Sequence, residues 1–282
     1  MVYPRPKPRG FDPLAYLTTY FDALEINSTF YRPQPKKVVR AWVARVSGNP
    51  DFRFTAKLNR RFTHERDTAF TKAEVREARE GFDVMCEAGR LGAVLLQFPW
   101  SFKRGEAEQE WLQDLFSAFD GLPLVVEVRH ASWNTPDFFA WLEDNGVGFV
   151  NVDQPLFRRS IKPSARSTSH VGYIRVHGRN WHDWFRKDAG RDERYDYLYS
   201  PEELEPWAER AKVLAEDGRT DEVYVVTNNH FRGQSVANGI QLEAMVKGHP
   251  VPAPPTLVEA FPEALLPYIV PPPSEEAHPA QR

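Results

Sequence analysis

Residues 124–133 read LVVEVRHASW, a run apolar enough for a buried strand that nevertheless carries Glu127 and Arg129 two positions apart. Strand side chains alternate between faces, so a spacing of two sets the carboxylate and the guanidinium on the same side. An isolated buried ion costs several kcal/mol, so such a strand is expected where neighbouring strands bring partners to the same place. A closed or nearly closed parallel sheet does this, because all its strand ends gather at one rim.

The same design repeats on either side. Strand-like runs lie at 22–27 (DALEIN), 52–58 (FRFTAKL), 92–98 (GAVLLQF), 148–153 (GFVNVD), 172–177 (GYIRVH) and 222–228 (EVYVVTN). Amphipathic helical stretches separate them at 35–46, 72–89, 108–119, 136–145, 201–217 and 235–248. Alternation of strand and helix predicts an α/β protein with a parallel sheet, and seven such strands predict a TIM-type (β/α) barrel. One domain over 1–262 is expected, followed by a Pro-rich tail, 263–282; in the Pro-rich stretch from Pro250 onward the apolar patch LVEAFPEALLPYI, 257–269, is expected to dock on the barrel before the chain frays.

Each strand begins apolar and ends polar. Glu25 and Asn27 close the first, Lys57 the second, Gln97 the third, and Glu127 and Arg129 the fourth. Asp153 ends the fifth, Arg175 and His177 share a face of the sixth, and Asn228 and Asn229 end the last. In a barrel these converge on the C-terminal mouth, where active sites sit. Tyr31, His64 and Trp133 follow in the adjoining loops. Glu25, Glu127 and His177 are the candidate acid/base groups, since each can exchange a proton when its pKa is moved toward neutrality. Asn27, Tyr31, Lys57, His64, Gln97, Arg129, Trp133, Asp153, Arg175, Asn228 and Asn229 are the candidate ligand contacts. Rings such as Trp181 and Trp184 stand ready to stack a base or sugar.

Composition narrows the classes. The 282 residues carry a net charge near −3, with 41% hydrophobic and 27% charged residues, and no apolar run reaches membrane-spanning length. A cytoplasmic protein without a membrane partner is expected, and the single cysteine, Cys86, is expected to pack as a small apolar side chain. Basic residues concentrate in two loops, RRFTHER and FRRSIKPSAR, so the partner is expected to be an anionic small molecule or a nucleic acid. The dense aromatic and basic segment 178–200 reads as a lid. No dinucleotide, Walker or nucleophile-elbow motif occurs, and no H-E-x-x-H. Inward Lys and Arg oppose a divalent cation, so neither metal nor cofactor is expected.

The stretches EINSTFYR, FRFTAKLNRRFTH, LGAVLLQFPWSF, VEVRHASW, YIRVHGR and VVTNNHFRGQSVANG, in this order, resemble the signatures of the YecE-like family, domain of unknown function 72. The resemblance covers about residues 11–262. It implies a TIM barrel with a pocket at its mouth and no established activity. Family members open with a strand of Gly-Thr-Ser-Gly-Trp type, whereas this chain starts at MVYPRPKPRGF. The expectation is therefore seven strands with a gap between DALEIN and EVYVVTN, through an open barrel or a start codon placed too far downstream. The leading functional expectation is a metal-independent hydrolase or isomerase using acid/base chemistry on a phosphate-bearing small molecule or phosphodiester. A non-catalytic nucleic-acid-binding protein is the alternative, and glycoside hydrolysis by Glu25 and Glu127 ranks third.

Overall fold

A computed structural model describes residues 2–182, 186 and 195–270. Seven strands form a single parallel sheet in sequential order: β1 (Ala23–Ile26), β2 (Arg53–Lys57), β3 (Leu91–Gln97), β4 (Leu124–Glu127), β5 (Gly148–Asp153), β6 (Val171–Val176) and β7 (Glu222–Thr227). Helices on the outer surface connect them, giving the nearly closed α/β barrel that the strand–helix alternation predicts. Among the described residues no ladder joins β7 to β1, so a seam remains where the expected gap falls.

Strand periodicity sorts the core into two layers. Ala93, Leu95, Val125, Val150, Val152, Tyr173 and Tyr224 fill the interior below the mouth. The intervening residues, such as Val94, Leu96, Val126 and Phe149, face the helices with Phe82, Leu112, Phe138 and Leu142. Gly92 is required by close approach, because a Cβ there would run into the Tyr224 ring and hydroxyl. Helix starts follow the local chemistry. Thr71 and Glu74 form a capping box, as do Ser200 and Glu203, and Pro136 and Pro201 occupy first turns.

The segment after β7 is anchored. Leu257, Leu265 and Ile269 pack with Ala237, Ile240 and Ala244 of the Gln234–Lys247 helix, and Val251 bridges Ile269. Residues 271–282 and Trp184 lie outside the described residues, as does much of the segment expected to form a lid. Cys86 departs from its expected place. It is exposed on the last turn of the Lys72–Glu87 helix, whose buried face runs through Ala78, Phe82 and Met85. No described helix is long and apolar enough to cross a membrane.

Candidate functional site

The inward parity of the strands delivers Glu25, Thr55, Lys57, Gln97, Glu127, Tyr173, Arg175 and His177 to the top of the barrel interior. Arg175, fully buried, is the hub. Its Nη2 donates to Glu25 Oε1 at 2.7 Å, and its Nη1 donates to Glu127 Oε2 at 2.5 Å and to Gln97 Oε1 at 2.8 Å. Arg129 donates from Nε to Glu127 Oε1 at 2.9 Å. The opening stretch is thereby explained: Glu127 is 0% exposed because two guanidiniums converge on its carboxylate.

The histidine beneath the rim is neutral. Burial, opposed only in part by Glu127, pushes His177 down to about 3. Its Nδ1 lies 3.0 Å from Asn228 Nδ2 and its Nε2 lies 3.1 Å from Glu127 Oε1. Arg129 Nη2 also lies 3.3 Å from Nε2, so that nitrogen stands between a guanidinium and a carboxylate while Nδ1 faces the Asn228 amide. Burial alone would raise Glu127, yet Arg175 and Arg129 hold it well below the usual carboxylate range. Although a charged His177 would lower it further, the neutral ring contributes through its hydrogen bond. Tyr173, raised well above its ordinary value by burial and Glu25, keeps its proton. Its hydroxyl lies 3.2 Å from Glu25 Oε2 and 2.9 Å from Thr55 Oγ1.

A cavity of about 750 Å³ adjoins this network. Glu25, Asn27, Tyr31, Lys57, His64, Gln97 and Asn228 line its mouth, joined by Arg60, Tyr195 and His230. Its lower part runs into the seam between β1 and β7, against Leu24, Val223, Val225 and Val236. Lys57 Nζ stands 3.8 Å from Glu25 Oε1, beyond hydrogen-bond reach. Burial first, then the Arg175 charge, brings its ammonium down to about 8. Burial and the Arg129 charge bring His64 down to about 4, so that ring is neutral as well. Three cations, Arg129, Arg175 and Lys57, thus meet two carboxylates, Glu25 and Glu127, beside the cavity.

Three expected contacts lie elsewhere. Asp153 is on the outer face of β5, in line with Phe149 and Asn151, where Arg179 donates to it at 2.9 and 3.2 Å. Asn229 also turns outward, donating to Tyr197 O and Asn238 Oδ1, each at 2.7 Å. Trp133 is buried in the outer core, stacked on Phe102 at 5.1 Å with its indole N–H on Phe102 O. Glu127, Arg129, Arg175 and His177 belong to the network, yet they support the cavity wall rather than form it. Tyr173 and Arg60 were legible as candidates. Tyr173 shares the two-residue spacing of Arg175 and His177, and Arg60 opens the short Arg60–Thr63 turn of helix directly after β2.

Much of the loop charge is already engaged. Arg60 meets Glu65 at 2.8 Å, and Arg61 donates to Glu74 and to the carbonyls of Glu65, Thr68 and Ala69. Arg66 and Arg166 cover the rings of Phe102 and Phe139. Trp181 is 56% exposed, beside Phe157 at 4.4 Å. Among the described residues no three His, Cys, Asp or Glu side chains gather as a metal site.

Fold and site define a parallel-barrel protein with a polar mouth rich in charged side chains. The chain belongs to the family described as protein of unknown function DUF72, whose model matches residues 1–259. It is similar to the UPF0759 protein YunF of Bacillus subtilis (strain 168), 28% identical over 256 residues, 86% of this chain and 88% of that protein. Among solved structures it resembles a DUF72 family protein from Thermotoga maritima, at 33% identity with TM-score 0.73, covering 85% of this chain and 92% of that one. A DUF72 family protein from Enterococcus faecalis V583 gives TM-score 0.75 at 25% identity, covering 84% and 88%.

Proposed function

We propose that the barrel mouth binds an anionic small molecule and performs metal-independent acid/base chemistry on it. The observation that carries this reading is the grouping of Lys57, Arg60 and, behind them, Arg175 at one end of a cavity large enough for a small metabolite. The anionic group faces the cationic floor and Arg60, whose solvent-exposed pair with Glu65 a ligand can replace. The rest of the ligand faces Glu25, Lys57 and His64, three cavity-lining groups able to hold or move a proton. Glu127 and His177 serve as positioning residues: they fix Arg175 and Arg129 and hence the field at Lys57. The cations Arg175 and Lys57 beside these carboxylates weigh against glycoside hydrolysis, whose transition state is an oxocarbenium cation. The engagement of Arg61, Arg66 and Arg166 by the protein itself weighs against a nucleic-acid grip.

Calorimetric titration with inorganic pyrophosphate, alongside a short single-stranded oligonucleotide, tests the reading. Pyrophosphate binding that weakens about tenfold or more in Arg60→Glu is expected. Binding indifferent to that reversal, or found only with the oligonucleotide, would overturn it.

A further inference from the structure

Resting on that reading, we propose that Lys57 is a carbonyl-reactive amine and that the ligand is an anionic aldehyde or ketone, joined to Lys57 as a Schiff base. Arg60, Arg129 and Arg175, the cations grouped with Lys57 at the mouth, are guanidiniums, which keep their protons and make poor nucleophiles. Lys57 is the one amine of this cluster. It reaches the cavity from the C-terminal end of β2, and its side chain is 13% exposed. Among the described residues no hydrogen bond ties down its Nζ, whereas Glu25 Oε1 lies within one proton relay at 3.8 Å. Burial beside a second cation favours a neutral amine, the ordinary means of activating a lysine nucleophile. Its lowering to about 8 agrees with that geometry.

The step balances with the groups present. A solvent water carries a proton from the Lys57 ammonium to Glu25, and the amine lone pair then forms a C–N bond to the carbonyl carbon while the proton that the nitrogen sheds passes to the oxygen. Loss of that oxygen as water, with the second proton returned by way of Glu25, leaves a protonated imine. Carbonyl compound plus ammonium becomes iminium plus water, with no oxidant or reductant. The iminium is an electron sink for the adjacent carbon, as carbon–carbon cleavage or removal of an α-proton requires.

A second lysine on the same cavity is the internal control. Lys247 donates to Glu243 at 2.6 Å and its pKa is raised, so it should stay protonated and unreactive. The test treats the full chain with pyridoxal 5′-phosphate, used as an anionic aldehyde probe, then with borohydride, and maps the adduct by peptide mass spectrometry. The expected result is a predominant adduct on Lys57, absent from Lys57→Arg, with a labelling midpoint near pH 8. Adducts spread over the surface lysines of the unmodified chain, or none on Lys57, would overturn the proposal without needing any variant to fold. Pyridoxal lacking the phosphate separates the two readings. Equal labelling of Lys57 by both aldehydes would overturn the requirement for an anion and leave the amine standing. Pyrophosphate binding without any adduct would overturn the amine and leave the anion site standing.

Discussion

Strands β4, β5 and β6 are buried at every position, whereas β1 and β7 each have one buried residue, Ile26 and Tyr224. All five obey the same two-residue periodicity, so the contrast comes from what lies beside them. The closed arc carries Glu127, Arg175 and His177, each 0% exposed and matched by partners from neighbouring strands. The open arc contributes Glu25 and Asn27 to the cavity, with Lys57 beside them on β2. Charge in the first arc is spent on internal pairing. In the second, Glu25 is shared with Arg175 while Lys57, 3.8 Å from it, faces the cavity without a close partner among the described residues.

The sharpest way to break this comparison is to remove one charge from each arc. Glu127→Ala strands Arg175 and Arg129 without their shared carboxylate, and loss of one partner of a buried pair costs about 3–5 kcal/mol. Lys57→Met leaves the Glu25–Arg175 contact in place, and its stability should stay within about 1 kcal/mol of the parent. Urea unfolding of both proteins checks the pair. Equal losses would mean that the two arcs form one structural unit.

Acid provides the next test. His177 and His64 have folded-state values of about 3 and about 4, below the ordinary 6.5. As the pH falls below 6.5 the unfolded chain therefore takes up protons first, and the stability these rings contribute above that pH is lost progressively toward their folded values. His177→Asn and His64→Asn should each flatten this decline, and by similar amounts down to pH 5, because both folded-state values lie lower still. Urea midpoints at neutral pH and near pH 5 measure it. The smallest effect belongs to the exposed loop: Arg158→Ala should change stability by no more than about 0.5 kcal/mol and leave pyrophosphate binding intact.

The fold was legible because six of the seven strands carry branched apolar residues, and β2 carries Phe54 and Thr55, between helices with clear polar faces. The site was legible wherever one face of a strand is polar at its end, as at Glu25, Lys57, Gln97 and the Glu127–Arg129 pair. It was not legible where both faces are buried. In β5, Val150, Asn151, Val152 and Asp153 are all covered, so nothing in the pattern marks Asp153 as outward. Asn228 and Asn229 are neighbours of the same type, and only the register of β7 separates the inward one from the outward one. Trp133 sits just past a strand end where mouth and outer core are equally near, and a ring of its size was taken by Phe102 and Phe138. The lower part of the cavity depends on the seam and on the helix beside it, a relation between segments about 200 residues apart that no local pattern encodes.

The seam also sets the order in which deuterium should enter the barrel. Peptide groups on the outer margins of Ala23–Ile26 and Glu222–Thr227 have no neighbouring strand among the described residues, while those of β3 and β4 are held on both sides. Amide exchange should therefore begin along that single line and reach Val94 and Val126 last.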